Sequence, residues 1–306
     1  MLNDASKIIS NGKKEYDFTD VLVDEFQDTS HSRKNLIRAL QKRNDKLKLF
    51  CVGDDWQSIY RFTGSDINIM PKFKKHFETK DEHEEIYLDE TYRFSDELAQ
   101  LTSKFINKNK LLLKKRVSSK IKRHKYPLSF FYGDDDENTC RSILNEIKKK
   151  FSKASVLFLD RYKKRYEDTN YEPLYLKDLK KEFNNFKIRF STIHSVKGQE
   201  EDFVILLGAI QDYKYPFPSD IKDDPLLNLV MPKPEEFPDG EESRLLYVAL
   251  TRCKYHAYIV RNNDFKESYF ISDLKKIRIK KDDGSEIPIR EKEIPLPTEE
   301  PSKIPS

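Results

Sequence analysis

VLVDEFQD, residues Val21–Asp28, joins a three-residue apolar run to two adjacent carboxylates. Val21, Leu22 and Val23 read as a β-strand, apolar throughout, of the kind covered by helices on both faces of a parallel sheet. In open α/β sheets ligands bind beyond the carboxyl ends of the strands, so Asp24 and Glu25 stand where chemistry is done. Successive residues there point in different directions. One carboxylate can therefore hold Mg²⁺, usually through water, while the next orients an attacking water. A strand end capped by solvated acids is the plainer alternative.

A second run, Leu47–Val52, ends in GDDWQSIYRFTGSD (Gly53–Asp66). Gln57 could report on a γ-phosphate, and Tyr60 and Phe62 offer faces on which bases could stack. Aromatics at this spacing also serve as core. Further strands are expected at Ile86–Leu88, Leu128–Tyr132, Val156–Leu159, Ile188–Phe190, Phe203–Leu207 and Ala257–Val260. Helical spacing appears at Leu36-Ile37-Leu40, Leu98-Leu101-Phe105, Ile143-Leu144-Ile147-Phe151 and Leu245–Leu250. Alternating β and α segments mean an α/β chain with a mainly parallel sheet.

Composition narrows the function classes. The chain has 306 residues, about two domains of ordinary size. Charged residues make up 36%, and 57 basic against 53 acidic residues leave +4, which allows a nucleic-acid partner without demanding one. Twenty Phe and 16 Tyr are too many aromatics for a disordered chain. The longest apolar run, Phe203–Ile210, is far short of the ~20 residues of a membrane span, so no membrane role is expected. Cys51, Cys140 and Cys253 lie far apart without CxxC pairs. A disulfide scaffold and a zinc ribbon are excluded, and a reducing cytoplasm is the expected location. Six of the 14 prolines fall between Pro216 and Pro238, marking a long loop inside a folded domain, and five fall between Pro288 and Pro305. The second cluster has little apolar content, so 282–306 reads as a disordered tail.

Taken together, the two acidic segments resemble motifs II and III of the UvrD/Rep-type superfamily 1 DNA helicases. Three later segments continue the series in order. LDETYRFSDEL (Leu88–Leu98) resembles motif IV, STIHSVKGQEEDFVIL (Ser191–Leu206) motif V, and EESRLLYVALTRCK (Glu241–Lys254) motif VI. The wording is nearest that of the helicase IV branch, and the resemblance runs over roughly residues 15–275. It implies a RecA-like P-loop NTPase fold, in which two RecA-like domains grip ATP and draw single-stranded or partly duplex DNA across them with 3′→5′ polarity.

The resemblance assigns roles by position. Asp24 would hold Mg²⁺, Glu25 would activate water and Gln57 would sense the γ-phosphate. Tyr92 would stack on adenine, Arg93 and Arg252 would be arginine fingers, and Glu200 would contact the ribose. Tyr60 and Phe62 would stack on DNA bases, with Thr192 and His194 near the phosphodiester backbone. The guanidinium roles are physically coherent, because phosphoryl transfer spreads negative charge over oxygens that Arg can offset. With Arg93 and Arg252 on the second domain and the acids on the first, hydrolysis requires closure. Taken singly, either Arg could be a surface salt bridge, His194 a structural hydrogen-bonder and Cys253 buried filler.

Three departures qualify the resemblance. No GxxxxGK[ST] phosphate loop is present; at the one Gly-Lys pair, Gly12-Lys13, Lys7 stands in place of the first Gly and Lys14 in place of Ser or Thr. The chain therefore reads as the carboxyl-terminal part of a helicase. It would have a truncated first RecA-like domain (1–80), a nearly complete second (81–281) and the tail. A separate polypeptide would supply the loop, and an apolar sheet edge would stand open beside Val21–Val23. The rival reading is a non-catalytic DNA-binding or regulatory module. About 100 residues separate Tyr92 from Thr192, too few for a large accessory insertion. That interval instead carries the basic clusters Asn107–Lys125 and Asp160–Asp168. The first of them reads as a solvated helix face or as a phosphate track, with Lys114 and Lys115 the expected contacts. Thirdly, Phe62 and Thr63 stand where the UvrD proteins carry Trp and Arg, so stacking would use a smaller ring.

Overall fold

The computed structural model describes residues 1–12, 18–77, 83–121, 126–169, 171–212, 214–280 and 284–296. The chain divides into two compact units whose segments interleave. One holds Met1–Leu88, Asn107–Lys115 and Ile221–Leu245; the other holds Asp89–Ile106, Arg116–Asp220 and Leu246–Ser306. The expected limits at 80 and 281 lie outside the described residues.

The first unit begins with α1 (Leu2–Asn11), β1 (Asp20–Val23), α2 (His31–Arg43), β2 (Lys48–Cys51) and the single turn α3 (Phe73–His76). Ser30 starts α2 by accepting a hydrogen bond from the Arg33 N–H, and Lys42 and Arg43 complement the dipole at its end. β1 and β2 pair in parallel, Val21 opposite Leu49 and Leu22 opposite Phe50. Alternation then sorts the two faces. Val23, Leu49 and Cys51 pack on a core of Phe26, Ile37, Ile69 and Phe77. On the other face Leu22 is 74% exposed and Phe50 60%. Exposed apolar surface was expected at the edge of β1; the structure carries it on a whole face.

The second unit is built from α4 (Asp96–Ile106), β3 (Ser129–Gly133), α5 (Asp136–Lys148), β4 (Ala154–Asp160), α6 (Leu176–Glu182), β5 (Phe186–Thr192), β6 (Glu201–Leu206) and β7 (Ile210–Gln211). After α7 (Gly240–Leu250), inside which the division of units falls, come β8 (Cys253–Asn262), β9 (Lys266–Glu267), α8 (Tyr269–Lys276), β10 (Ile279–Lys280), β11 (Glu286–Ile287) and β12 (Arg290–Ile294). Six strands form one sheet in the order β12-β3-β8-β6-β4-β5, every neighbouring pair parallel. The mainly parallel α/β class expected from the sequence is the class observed. Val156–Leu159 of β4 are wholly buried on both faces, which is why that run is apolar without alternation. Cys140, Ile143, Leu144 and Ile147 of α5 and Leu176 and Leu179 of α6 cover one face.

Two expectations fail. Ile86–Leu88 forms no strand, and Ile86 and Leu88 are 72% and 85% exposed. Three apolar residues make a strand only where a neighbouring strand accepts them. The stretch 282–306 is not a disordered tail throughout, because β12 adds to the edge of the six-stranded sheet beside β3. Ladder hydrogen bonds and the Glu146 carboxylate, paired to Arg290 at 2.8 Å and Lys292 at 2.7 Å, replace the apolar content that composition lacks. Residues 297–306 lie outside the described residues.

Candidate functional site

In the first unit the ends of β1 and β2 are stitched together. The Val52 N–H donates to the Val23 carbonyl at 2.9 Å, and the Phe26 N–H to the Val52 carbonyl at 2.8 Å. This join turns the chain sharply at Glu25, whose φ of 49° is a left-handed conformation that non-glycine residues rarely take. Strain of this kind costs about 1–3 kcal/mol and persists where surrounding contacts over-determine it. Here those contacts are visible. The Glu25 N–H donates to Asp24 Oδ1 at 2.8 Å, and buried Gln27 donates from its Nε2 to Glu25 Oε2. Gln27 Oε1 accepts from the Asp54 N–H at 2.9 Å, and the Asp54 carboxylate accepts from Gln57 Nε2 at 2.6 Å. Gly53 permits this closeness, since a Cβ there would meet Gln27 Oε1 at 2.5 Å. Asp24, Glu25 and Gln57 thus stand in one hydrogen-bonded array, the two acids facing solvent.

Tyr60 and Phe62 follow directly, their ring centroids 5.9 Å apart and nearly perpendicular. Phe62 is 60% exposed, so it is not a core aromatic. Burial, with the Asp28 and Glu25 charges, pushes the Tyr60 hydroxyl pKa up. Among the described residues no group of three His, Cys, Asp or Glu side chains gathers as a metal site. Asp24 is a solvent-facing carboxylate at a strand end, a group of the chemistry that holds a cation bound mostly by water and ligand oxygens, as Mg²⁺ usually is.

In the second unit Tyr92 is 71% exposed, its hydroxyl donating to Glu90 at 2.9 Å. Arg93 Nε donates to Glu200 at 3.1 Å, and Lys254 reaches the other Glu200 oxygen at 3.0 Å. Lys254 and Arg93 together hold the Glu200 carboxyl below the ordinary range. Two residues assigned separately to the nucleotide are thus each other's partners. The Arg252 carbonyl accepts from the Glu201 N–H at 3.0 Å, bringing its backbone alongside. The Arg252 side chain, however, is 1% exposed and donates to the Val248 carbonyl and to Thr251 Oγ1 at 3.1 and 3.2 Å. Thr192 closes β5, its hydroxyl 2.8 Å from that of Ser195. His194 follows, and burial with the Arg161 charge lowers its pKa to about 4, so its ring is neutral at neutral pH. Of these residues the structure pairs Arg93 with Glu200, while Tyr92 precedes Arg93 in the chain and Thr192 and His194 lie at the end of β5.

Residues 1–78 match the UvrD/REP helicase N-terminal domain. The chain is 33% identical over 281 residues to DNA helicase IV of Escherichia coli strain K12, covering 91% of this chain and 39% of that protein. It is homologous to DNA helicases. ATP-dependent DNA helicase Rep of Buchnera aphidicola is 30% identical over 140 residues, 46% of this chain and 21% of its own length. DNA helicase II of Escherichia coli strain K12 is 31% identical over 131 residues, 43% and 17% respectively. The chain thus spans about two fifths of the length of helicase IV and about a fifth of the other two.

Several residues of this helicase homologue act where sequence reasoning gave them no part or a different one. Gln27 was visible inside VLVDEFQD, but nothing in its spacing announces that it joins the two strand ends. Lys115 was expected on phosphates. Its ammonium instead lies 2.6 Å from buried Asp55, contacts Asp54 at 2.5 Å and sits 4.9 Å over the Trp56 ring. Burial alone would lower the Lys115 pKa, but the Asp54 and Asp55 charges more than reverse that. Arg61, between half-buried Tyr60 and exposed Phe62, binds the Asp223 carboxylate through Nη2 at 2.6 and 2.8 Å. No local pattern signals either pairing, because the partners are 60 and 162 residues away. Among the described residues no helix is long and apolar enough to cross a membrane.

Proposed function

We propose that this chain carries the hydrolysis-coupling and DNA-contacting residues of an ATP-dependent 3′→5′ DNA helicase, in a truncated first and a nearly complete second RecA-like domain. The array Asp24–Glu25–Gln27–Asp54–Gln57 at the joined ends of two parallel strands carries this reading. A structural strand end needs no left-handed Glu held by a buried Gln, whereas a water-activating carboxylate needs a fixed direction. Bound ATP and Mg²⁺ would supply the phosphoryl group and the charge that draws it together. Asp24 would hold the metal through its solvent-facing carboxylate. Glu25, oriented by Gln27, would take the proton of the attacking water. Gln57, tied to Asp54, would exchange that bond for a γ-phosphate oxygen. Tyr92 would stack on the base, and Arg93 would release Glu200 to the ribose as its guanidinium turns to phosphate. Arg252 would have to leave the Val248 carbonyl to act as the second finger. Phe62 and Tyr60 would stack on DNA bases, with Thr192 and neutral His194 donating to the backbone.

These 306 residues contain no GxxxxGK[ST], so hydrolysis would need a phosphate-binding loop from further polypeptide. The buried Arg252 favours a second reading, a DNA-binding module that does not hydrolyse ATP. Two measurements separate them. Fluorescence anisotropy with a labelled single strand should give saturable binding that Phe62→Ala weakens by ~1–3 kcal/mol, with little dependence on base sequence. Phosphate release should be absent from the chain alone and appear, DNA-stimulated and lost in Arg252→Ala, when a loop-bearing helicase fragment is co-expressed. Copurification without ATPase activity would leave the binding module standing. Unchanged DNA affinity in Phe62→Ala would return that ring to a structural role.

A further inference from the structure

Lysine gathers where β4 and β5 begin, at one end of the second unit's sheet. α5 ends on Lys148 and runs on through its C-cap Lys149 to Lys150 and Lys153, and Lys187 lies in β5 opposite Ser155 of β4. All five side chains are exposed. Lys148 has a local role, offsetting the dipole in the last turn of α5 and lying 5.5 Å over the Phe183 ring. Among the described residues the other four have no carboxylate partner. The acids of this region are mostly engaged. Lys180 holds Glu172 at 2.8 Å, and Lys181 holds Asp178 at 3.0 Å. Arg141 is shared between Glu137 and Glu182, at 2.6 and 2.8 Å, so one acidic charge is left over there. Half-buried Asp202, which accepts from the Ser155 N–H at 2.8 Å, is the other. Five lysines against two acids leave this end of the sheet basic.

The chemistry selects the partner. Ammonium groups on long stems are point charges, suited to a polyanion whose sequence is not read, whereas arginine forks would mark bidentate carboxylate recognition. Phe183 and Phe186, the aromatics beside the lysines, are 3% and 7% exposed, so neither ring is presented for unpaired bases to stack on. Nor do residues 148–153 and 183–187 expose a large apolar side chain, the anchor that dominates protein interfaces. A surface of charge alone gains most from the densest line of phosphates, and duplex DNA carries one charge per ~1.7 Å of axis. Thr192 closes β5 five residues beyond Lys187, roughly 17 Å along the strand. This surface is therefore separate from the backbone contacts assigned to Thr192 and His194.

We propose that Lys149, Lys150, Lys153 and Lys187 form a surface that grips the phosphate backbone of double-stranded DNA irrespective of its sequence. The choice of DNA rests on the function proposed above, but the surface does not depend on Tyr60 or Phe62. Fluorescence anisotropy of the full chain is measured over a range of salt on a labelled blunt duplex and on a labelled single strand. The quadruple variant Lys149→Gln, Lys150→Gln, Lys153→Gln, Lys187→Gln should lose at least about tenfold in duplex affinity, and its log–log salt slope should be shallower by roughly 3. Its single-strand affinity should stay within about threefold of the unaltered chain. The variant Lys149→Arg, Lys150→Arg, Lys153→Arg, Lys187→Arg should keep duplex affinity, because charge alone is required. Circular dichroism confirms that both surface variants are folded. Unchanged duplex binding in the glutamine variant overturns the proposal. So does an equal loss for both DNAs, which would make the lysines a general phosphate track. A polyglutamate peptide that displaces the duplex at equal charge concentration assigns the surface to an acidic protein instead. If the unaltered chain binds the single strand and not the duplex, this surface alone fails. If it binds the duplex and not the single strand, the reading of Tyr60 and Phe62 alone fails, and binding of neither defeats both.

Discussion

The two parallel sheets of this molecule are held in opposite ways. In the second unit, β4 and β6 lie between helices, and Val204–Leu206 and Val156–Leu159 are completely buried. In the first unit, two four-residue strands bury one face and leave Leu22 and Phe50 in water on the other. Around the small sheet lie long-range polar clamps: Lys115 on Asp54 and Asp55, Arg61 on Asp223 and Glu241, and Arg244 on Glu235. Such pairs add little net stability when intact but cost much when one partner is removed, so the first unit is more exposed to single charge losses than the second.

The largest expected effect tests the apolar half of that contrast. Phe158→Ala should cost about 3–5 kcal/mol, while Phe50→Ala on the open face should stay within about 0.5 kcal/mol. Urea denaturation compares them, and equal losses would mean that the open face is covered in solution. Lys115→Met probes the polar half. It leaves the wholly buried Asp55 without its cation and should cost roughly 3 kcal/mol, with Lys115→Arg recovering part of it. An unchanged denaturation midpoint in Lys115→Met would break the comparison.

A smaller effect depends on pH. The folded-state pKa of His194 is lowered from 6.5 to about 4, so its contribution is complete above pH 6.5. As pH falls below 6.5 the unfolded chain takes up the proton first. Stability is then lost down to about pH 4, by up to about 1.4 kcal/mol per unit. His194→Gln should flatten that stretch of the stability curve, and an identical slope in the variant would remove His194 as its source. The smallest effect concerns β12. Glu146→Ala removes partly exposed pairs to Arg290 and Lys292 and should cost about 0.5–1 kcal/mol, with hydrogen exchange rising first at residues 290–294. Uniform exchange across the sheet would show that β12 is held by its backbone ladder alone.

Local patterns carried much of the fold. Val21–Val23, Leu47–Val52 and Val156–Leu159 were legible as strands from their apolar runs, but burial on both faces holds only for Val156–Leu159, since Leu22 and Phe50 stay exposed. The candidate residues Asp24 and Glu25 were legible because they follow such a strand directly, and Gln57 because it lies in the turn a few residues past the end of β2. Ile86–Leu88 has the same composition and forms no strand, since pairing depends on a neighbour that composition does not contain. β12 shows the converse. Its sequence, REKEI, has one apolar residue in five, yet the edge of β3 and the Glu146 carboxylate give it a place.

The sequence by itself determined the α/β class and the order of the motifs, both consequences of residue type and short spacing. Only the tertiary structure decided partnership. It turned Lys115 from a phosphate contact into a buried clamp, paired Arg93 with Glu200, buried Arg252 against a helix carbonyl and set Gln27 beneath Glu25. The physical reason is range. Periodicity and strand-end chemistry act over a few residues, whereas an ion pair across 60 or 162 residues exists only once the backbone between them has folded.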